Sequence, residues 1–362
     1  MARFSDNWLL TTVEGFKLIR SNILKVVDEM NIDPTLDGVA EALGFVNTPV
    51  DRPDWEITSL KGVLDLESIG ELDEIPLLGD EEGPSKGFKT QRFAWAHTMS
   101  RAATEWLMKA TSASTLPTEV KMEIQKIANK MARLSARVKK ARNFLATRVL
   151  IEGFNNANAY GPGSSTPYGN PLFFNAHPVG ETGEVQSNIM EGTDRVLNQV
   201  NLEKAIEKAR GMKDGNGTIV GFAASAYTLI VGPEGEANAR KILNDGKEVA
   251  SQVADVAISN DITVSIFQMN GFKVNLMVLP TLGQPSVKGK VGSGNEWFLL
   301  NTELSRELEA FRFIPLYEAK IDSYEDKKNK ATVIDIDTEF TMDFYNPEVI
   351  IGSDNGANGA IV

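Results

Sequence analysis

Apolar residues follow two rhythms along this chain, and each rhythm predicts a different element. From Ile124 they recur at Ile127, Met131, Leu134, Val138, Ala141 and Leu145, alternating steps of three and four, the spacing of one buried helix face. Leu116-Pro117-Thr118-Glu119 supplies a start, with proline in the first turn and an acid at the positive end of the helix. The pattern runs on to about Phe154 and predicts one helix of roughly 35 residues, or about 50 Å at ~1.5 Å per residue. Lys126, Lys130, Arg133, Arg137 and Lys140 form a parallel basic stripe about 100° around the axis. A coiled coil is the competing reading, but Met131 and Ala141 are poor seam residues. The spacing therefore favours a single helix with one packed and one basic face.

The second rhythm is strict alternation. From Val333 to Phe344 one face carries Ile334, Ile336, Phe340, Met342 and Phe344, the other Asp335, Asp337, Glu339 and Asp343. That predicts a half-buried antiparallel strand. Further strands are expected at Tyr227–Val231, Lys273–Leu279 and Trp297–Leu300, and helices at residues 5–30, around Leu202–Ala209, and from Pro233 past Leu243. Asp214-Gly215-Asn216-Gly217 reads as a turn, and Tyr160–Gly192 as loop, dense in Gly, Pro, Ser and Asn. Residues 57–78 and 87–98 read as two limbs of a long polar hairpin around a turn at Gly79–Gly87. Such a ribbon cannot bury a core of its own and needs a surface to lie against. The tail from Gly352 to Val362 is small and polar and is expected to be loose.

Composition narrows the function classes. The 362 residues are 42% hydrophobic and 24% charged, as in ordinary globular chains of two or so domains. The absence of cysteine excludes disulfides, thiolate catalysis and Cys-ligated zinc. No apolar run approaches the ~18 residues of a membrane span, and the first residues lack a signal peptide's apolar core. A soluble product, cytoplasmic when made, is expected. The net charge of −12 argues against nucleic-acid binding by bulk charge. Yet Gly62–Ser85 holds eight acids and no base, while Ile124–Leu150 holds eight bases and no acid. Opposed blocks of this kind suggest a partner surface for each.

Catalytic signals are poor. The two histidines, His97 and His177, lack a Gly-x-Ser-x-Gly elbow nearby, so structural roles are the better expectation. Gly215–Gly221 is one residue too long for a dinucleotide fingerprint and follows a helix, and Gly283–Lys290 departs from Walker spacing. The acidic row Asp335, Asp337, Glu339 could bind a hard cation, but such rows more often are solvated or face a neighbour. No catalytic, cofactor or metal residues are therefore assigned.

One stretch is distinctive. Pro171-Leu172-Phe173-Phe174-Asn175-Ala176-His177-Pro178 is followed by Gln186-Ser187-Asn188, Val200–Ala205, Met212–Gly217, Tyr227–Pro233 and Glu236–Leu243. In order and spacing this resembles the major capsid proteins of tailed bacteriophages, especially the Mu-like major head subunit family. Gly232-Pro233 departs from a more usual Pro-Pro. The resemblance implies an α+β capsid fold: an N-terminal arm (1–52), an extended loop (53–104), a peripheral domain (105–198 and 310–346) with a spine helix at 117–154, an axial domain (199–309) and a C-terminal tail (347–362). It implies a structural, non-enzymatic role, self-assembly into hexamers and pentamers of an icosahedral shell around double-stranded DNA. Implied partners are further copies of the chain, a portal protein, a separate scaffolding protein, an optional decoration protein, and DNA touched non-specifically by the basic spine residues. The location would be the virion capsid, and the host cytoplasm during assembly. An encapsulin-like nanocompartment shares that fold, and a cytoplasmic hydrolase using His177 is the reading from another class.

Overall fold

The computed structural model describes residues 43–60, 82–98, 100–102, 105, 118–119, 122, 126, 142–154, 166–179, 183–221, 226–243, 273–283, 285–286, 289–290, 292–326 and 331–355. The helix expected at 5–30, the acids from Asp65 to Glu81, and Lys130, Arg133, Arg137 and Lys140 lie outside these residues.

Helices and strands are mixed rather than alternating, an α+β arrangement. One sheet has the order β1 (Phe45–Asn47), β12 (Phe311–Asp326), β13 (Ala331–Phe344), β4 (Gln91–Thr98). Its centre is a long antiparallel pair, with Phe311 opposite Phe344 and Ile321 opposite Ile336. A second sheet has the order β14 (Ile350–Ser353), β11 (Trp297–Leu300), β7 (Ala226–Val231), β8 (Lys273–Val278), antiparallel except for β7 with β8. Smaller antiparallel pairs are β2 (Asp54–Leu60) with β3 (Glu82–Lys89), β5 (His177–Val179) with β6 (Glu184–Gln186), and β9 (Pro285–Ser286) with β10 (Gly289–Lys290). The expected strands at 227–231, 273–279 and 297–300 are all present.

The second sheet is covered on both faces, which is why Leu229-Ile230-Val231 and Trp297–Leu300 read as continuous apolar runs. On one face lies helix α2 (Gln199–Arg210), which buries Leu202, Ala205, Ile206 and Ala209 against Tyr227, Leu229, Trp297 and Leu299. Asn198 caps it, its Oδ1 accepting the Asn201 amide at 2.8 Å. On the other face, Ile230, Phe298 and Leu300 join a cluster with Leu145, Ala146 and Leu150 of helix α1 (142–152) and with Phe311, Phe313, Phe340 and Phe344 of the first sheet. The rings of Phe154, Phe173 and Phe298 fill its centre, at 4.4 and 5.4 Å between successive centroids. Two further helices among the described residues are α3 (236–243) and α4 (Thr302–Glu307).

Four expectations need correction. The second hairpin limb starts earlier than its turn-like residues suggest: 82–89 pairs with 54–60. Residues 91–98 leave the ribbon and pair with β13, with Trp95 opposite Ile336 and His97 opposite Ile334. The surface they lie against is thus in the same chain, where Phe93 stacks on Phe340 at 4.8 Å. Strand β13 is half-buried only up to Glu339, and from Phe340 onward both its faces are covered. Residues 352–354 are not loose, because β14 pairs with β11 and Gly352 exchanges hydrogen bonds with Asn188 and Met190. Arg142 and Arg148, the last two bases of the 124–150 block, lie outside the basic stripe and face the core. Both are buried, Arg142 above the rings of Phe313 and Phe340, and Arg148 beside Glu152 at 3.2 Å.

Candidate functional site

The acidic face of β13 meets donors from the hairpin root and β4. Lys86, Thr90 and Arg92 stand at every second or fourth position, so their side chains fall on one face of the extended chain. They reach Asp343, Glu339 and Asp337 in turn. Lys86 Nζ donates to Asp343 Oδ1 at 2.6 Å and to the Phe344 carbonyl at 3.0 Å. Thr90 donates to Glu339 at 2.5 Å, and Arg92 Nε to Asp337 at 2.8 Å. The Thr90 amide also donates to the Pro53 carbonyl at 2.8 Å, tying both limbs at the root. The acidic row is therefore a clasp for the hairpin. Among the described residues, no group of three or more His, Asp or Glu is placed to hold a metal ion.

Lys86 is the pivot of that clasp. Its ammonium sits 4.3 Å from the centre of the Phe344 ring, with 5% of the side chain exposed. Burial pushes the lysine below its usual range and Asp343 above its own, while their mutual attraction opposes both shifts. Sequence reading placed Lys86 in a turn. In the strand it alternates with Phe88 and Thr90, all buried, against Ser85, Gly87 and Lys89, all exposed, and by residue type only Phe88 marks that face.

The Pro171–Asn188 stretch builds a second junction, centred on a fully buried Asn188. Its Nδ2 donates to the carbonyls of Leu172 (2.7 Å) and Pro347 (3.0 Å), and its Oδ1 accepts from the Phe174 amide at 2.9 Å. His177 Nε2 lies 3.1 Å from the Leu172 carbonyl and 3.2 Å from Asn188 Oδ1, both acceptors, so this nitrogen carries the proton. Burial drops the His177 pKa to about 4, which keeps the ring neutral. No carboxylate or hydroxyl among the described residues bonds it, and the hydrolase reading finds no support in this geometry.

The neighbouring motifs also have structural roles. Gln186 pairs through both amide atoms with the Lys213 backbone, at 2.7 and 2.8 Å. Asp214 Oδ1 accepts the amides of Asn216 and Thr218, each at 2.9 Å, and Gly217 takes the positive φ of 84° that closes the turn. Gly232 has no room for a side chain, since a Cβ would lie 2.6 Å from the Gly294 carbonyl. The departure from Pro-Pro is therefore accommodated by a close backbone approach.

The outer surface carries the remaining candidates. Thr118, Glu119, Met122 and Lys126 are helical and exposed, in the expected span of the basic helix. Val185 and Ile219 are both more than half exposed. The Gln186–Lys213 pairing and the Lys213–Ile219 bridge bring them to one corner. No helix among the described residues is long and apolar enough to cross a membrane.

A family model described as phage capsid protein matches residues 120–347. No curated protein matches the chain. Among solved structures, a phage-related protein from Bordetella bronchiseptica RB50 aligns at 12% identity and TM-score 0.46, over 94% of this chain and 97% of that one. The mature capsid of bacteriophage PhiM1 aligns at 12% identity and TM-score 0.42, over 86% and 85%. A virus-like particle from Pyrococcus furiosus aligns at 10% identity and TM-score 0.42, over 94% and 100%.

Proposed function

This chain belongs to the phage capsid protein family and is a capsid shell subunit, and from that premise we propose how its parts serve the shell. The family match across more than half of the chain carries the reading. The chain forms hexamers and pentamers of an icosahedral shell around double-stranded DNA, with a portal and a separate scaffolding protein as partners, and has no catalytic task. Residues 1–52 act as an arm, 53–104 as the extended loop, 105–198 with 310–346 as the peripheral domain, and 199–309 as the axial domain. The tail, 347–362, opens with the turn Pro347–Val349 and continues as β14 in the sheet that contains β7 and β11. Assembly takes place in the host cytoplasm, and the product is the virion capsid.

Two features support this reading. The ribbon β2–β3 has only two strands and is clasped at its root by Lys86 and Asp343, and a two-stranded ribbon is marginal without a further surface to lie on. The exposed valine and isoleucine at the 185–219 corner offer apolar area to another copy. Electron microscopy of the purified full-length chain tests the proposal. Closed particles, tubes or capsomers are expected. A monodisperse 39.6 kDa monomer across a wide range of salt and concentration would overturn it.

A further inference from the structure

The last described segment threads between the two halves of the core. Val349 and Ile350 pack in the cluster with Phe173 and Phe298, while Ile351 packs in the cluster with α2 and Trp297. Backbone hydrogen bonds fix it on both sides: Asn301 N to Val349 O at 2.9 Å, Gly352 N to Asn188 O at 2.9 Å, and Met190 N to Gly352 O at 2.9 Å. Gly352 lies so close to Phe173 that a Cβ would fall 2.5 Å from its ring. At the head of this segment, in the single turn Pro347–Val349, sits a buried acid, Glu348.

Glu348 has poor surroundings for a charge. Its carboxyl accepts from Asn346 Nδ2 at 3.0 Å and from its own backbone amide, two neutral donors that only partly offset the burial of a charge. Among the described residues, the titratable groups that act on it are Asp214, from the turn after α2, and Tyr168, from the loop before β5. Neither brings positive charge, and α4, which packs on this turn, carries both signs in Glu303 and Arg306. Asp214 has its Oδ1 occupied by turn amides, and its Oδ2 is buried without a hydrogen bond. Burial beside Asp214 therefore costs the charged carboxylate far more than the neutral acid.

We propose that the segment 345–354 is a proton-operated latch, seated when Glu348 is protonated and loosened when that proton is lost. Burial, the largest cause, raises the Glu348 pKa from an ordinary 4.5 to about 7. The folded state therefore holds a proton that the released segment gives up between these values, so seating weakens as pH rises through that window. His177, two bonds away through Asn188, works in the opposite sense, because its pKa is lowered and its protonation at acid pH opposes folding. The latch acts within one chain, so it does not depend on the shell reading.

Hydrogen exchange of peptides covering 345–354, measured on the full chain between pH 5.5 and 8.5, tests the latch. Exchange is compared between wild type and Glu348→Gln at each pH, which cancels intrinsic exchange and the His177 contribution. Protection in the variant relative to wild type should grow about 30-fold across this range, the change expected from a carboxyl whose pKa moves from about 4.5 to about 7. A ratio that stays constant with pH overturns the proposal. Glu348→Met is the second neutral replacement. If neither variant folds at pH 5.5, where wild type does, then the neutral form is not the seated one and the proposal also fails.

Discussion

At the scale of single residues, two buried polar side chains hold the junction that the distinctive sequence stretch encodes. Asn188 satisfies two carbonyls and one amide at once. Asn188→Ala would leave the Pro347 carbonyl and the Phe174 amide buried without this partner, and the Leu172 carbonyl with His177 alone, at about 1–3 kcal/mol for each group left unmet by water. Chemical denaturation should register a loss of several kcal/mol, and a loss below about 1 kcal/mol would show that water replaces the amide. His177 predicts an acid limit. Its pKa falls from 6.5 to about 4 on folding, so its contribution is complete above pH 6.5 and is lost as pH drops toward 4. That amounts to about 3 kcal/mol as an order of magnitude, at ~1.4 kcal/mol per pKa unit. Unfolding midpoints compared at pH 7 and pH 4.5 should fall more for wild type than for His177→Gln. Equal falls would mean that other groups set the acid limit.

At the scale of elements, one buried ion pair ties the hairpin to the first sheet. The Lys86–Asp343 pair is enclosed by Phe344 and Tyr345 and shielded from solvent. Removing one member leaves the other as an uncompensated buried charge, a loss of about 3–5 kcal/mol, while replacing both with apolar groups is often near neutral. Lys86→Met should therefore destabilise the subunit strongly, and Lys86→Met with Asp343→Leu should recover most of that stability. A double variant no better than the single would show that the hydrogen bond to the Phe344 carbonyl matters more than charge balance. The element scale is also where sequence reading lost the path of the chain. Gly83-Pro84-Ser85 has turn composition, yet it lies in β3 at the margin of a two-stranded ribbon, where proline's missing donor costs little.

At the scale of the whole molecule, shell formation turns on surfaces that meet other copies. The basic stripe is the candidate for either a neighbour or packaged DNA, and Lys126 is exposed as that role requires. Arg142 and Arg148 are spent in the core instead. Reversing Arg133 and Arg137 to Glu separates the two uses. If the stripe clamps neighbours, empty shells fail to form; if it faces DNA, empty shells form but package poorly. Normal shells with normal DNA content would leave the stripe as a solvated helix face. Exposed pairs are worth only ~0–1 kcal/mol each, so a clamp of this kind must act by repetition over many copies. It should also weaken between 0.1 M and 1 M salt, as the Debye length shrinks from ~10 Å to ~3 Å.

The local spacing of apolar residues is enough to predict the strands at 227–231, 273–278 and 297–300, helix α2 and the long strand β13. These follow from local spacing of apolar residues, and local spacing survives whatever the chain packs against. The tertiary structure alone decided which strands are neighbours. It moved 91–98 from the hairpin to β13 and turned a tail of small residues into β14. Both depend on partners far away in the chain, Ile336 for Trp95 and Leu299 for Ile351, which no local pattern can supply. The same holds for charge. Lys86, Arg142, Arg148 and Glu348 look like surface residues by type, and they are buried because distant side chains close over them. Burial is a property of the whole packed molecule.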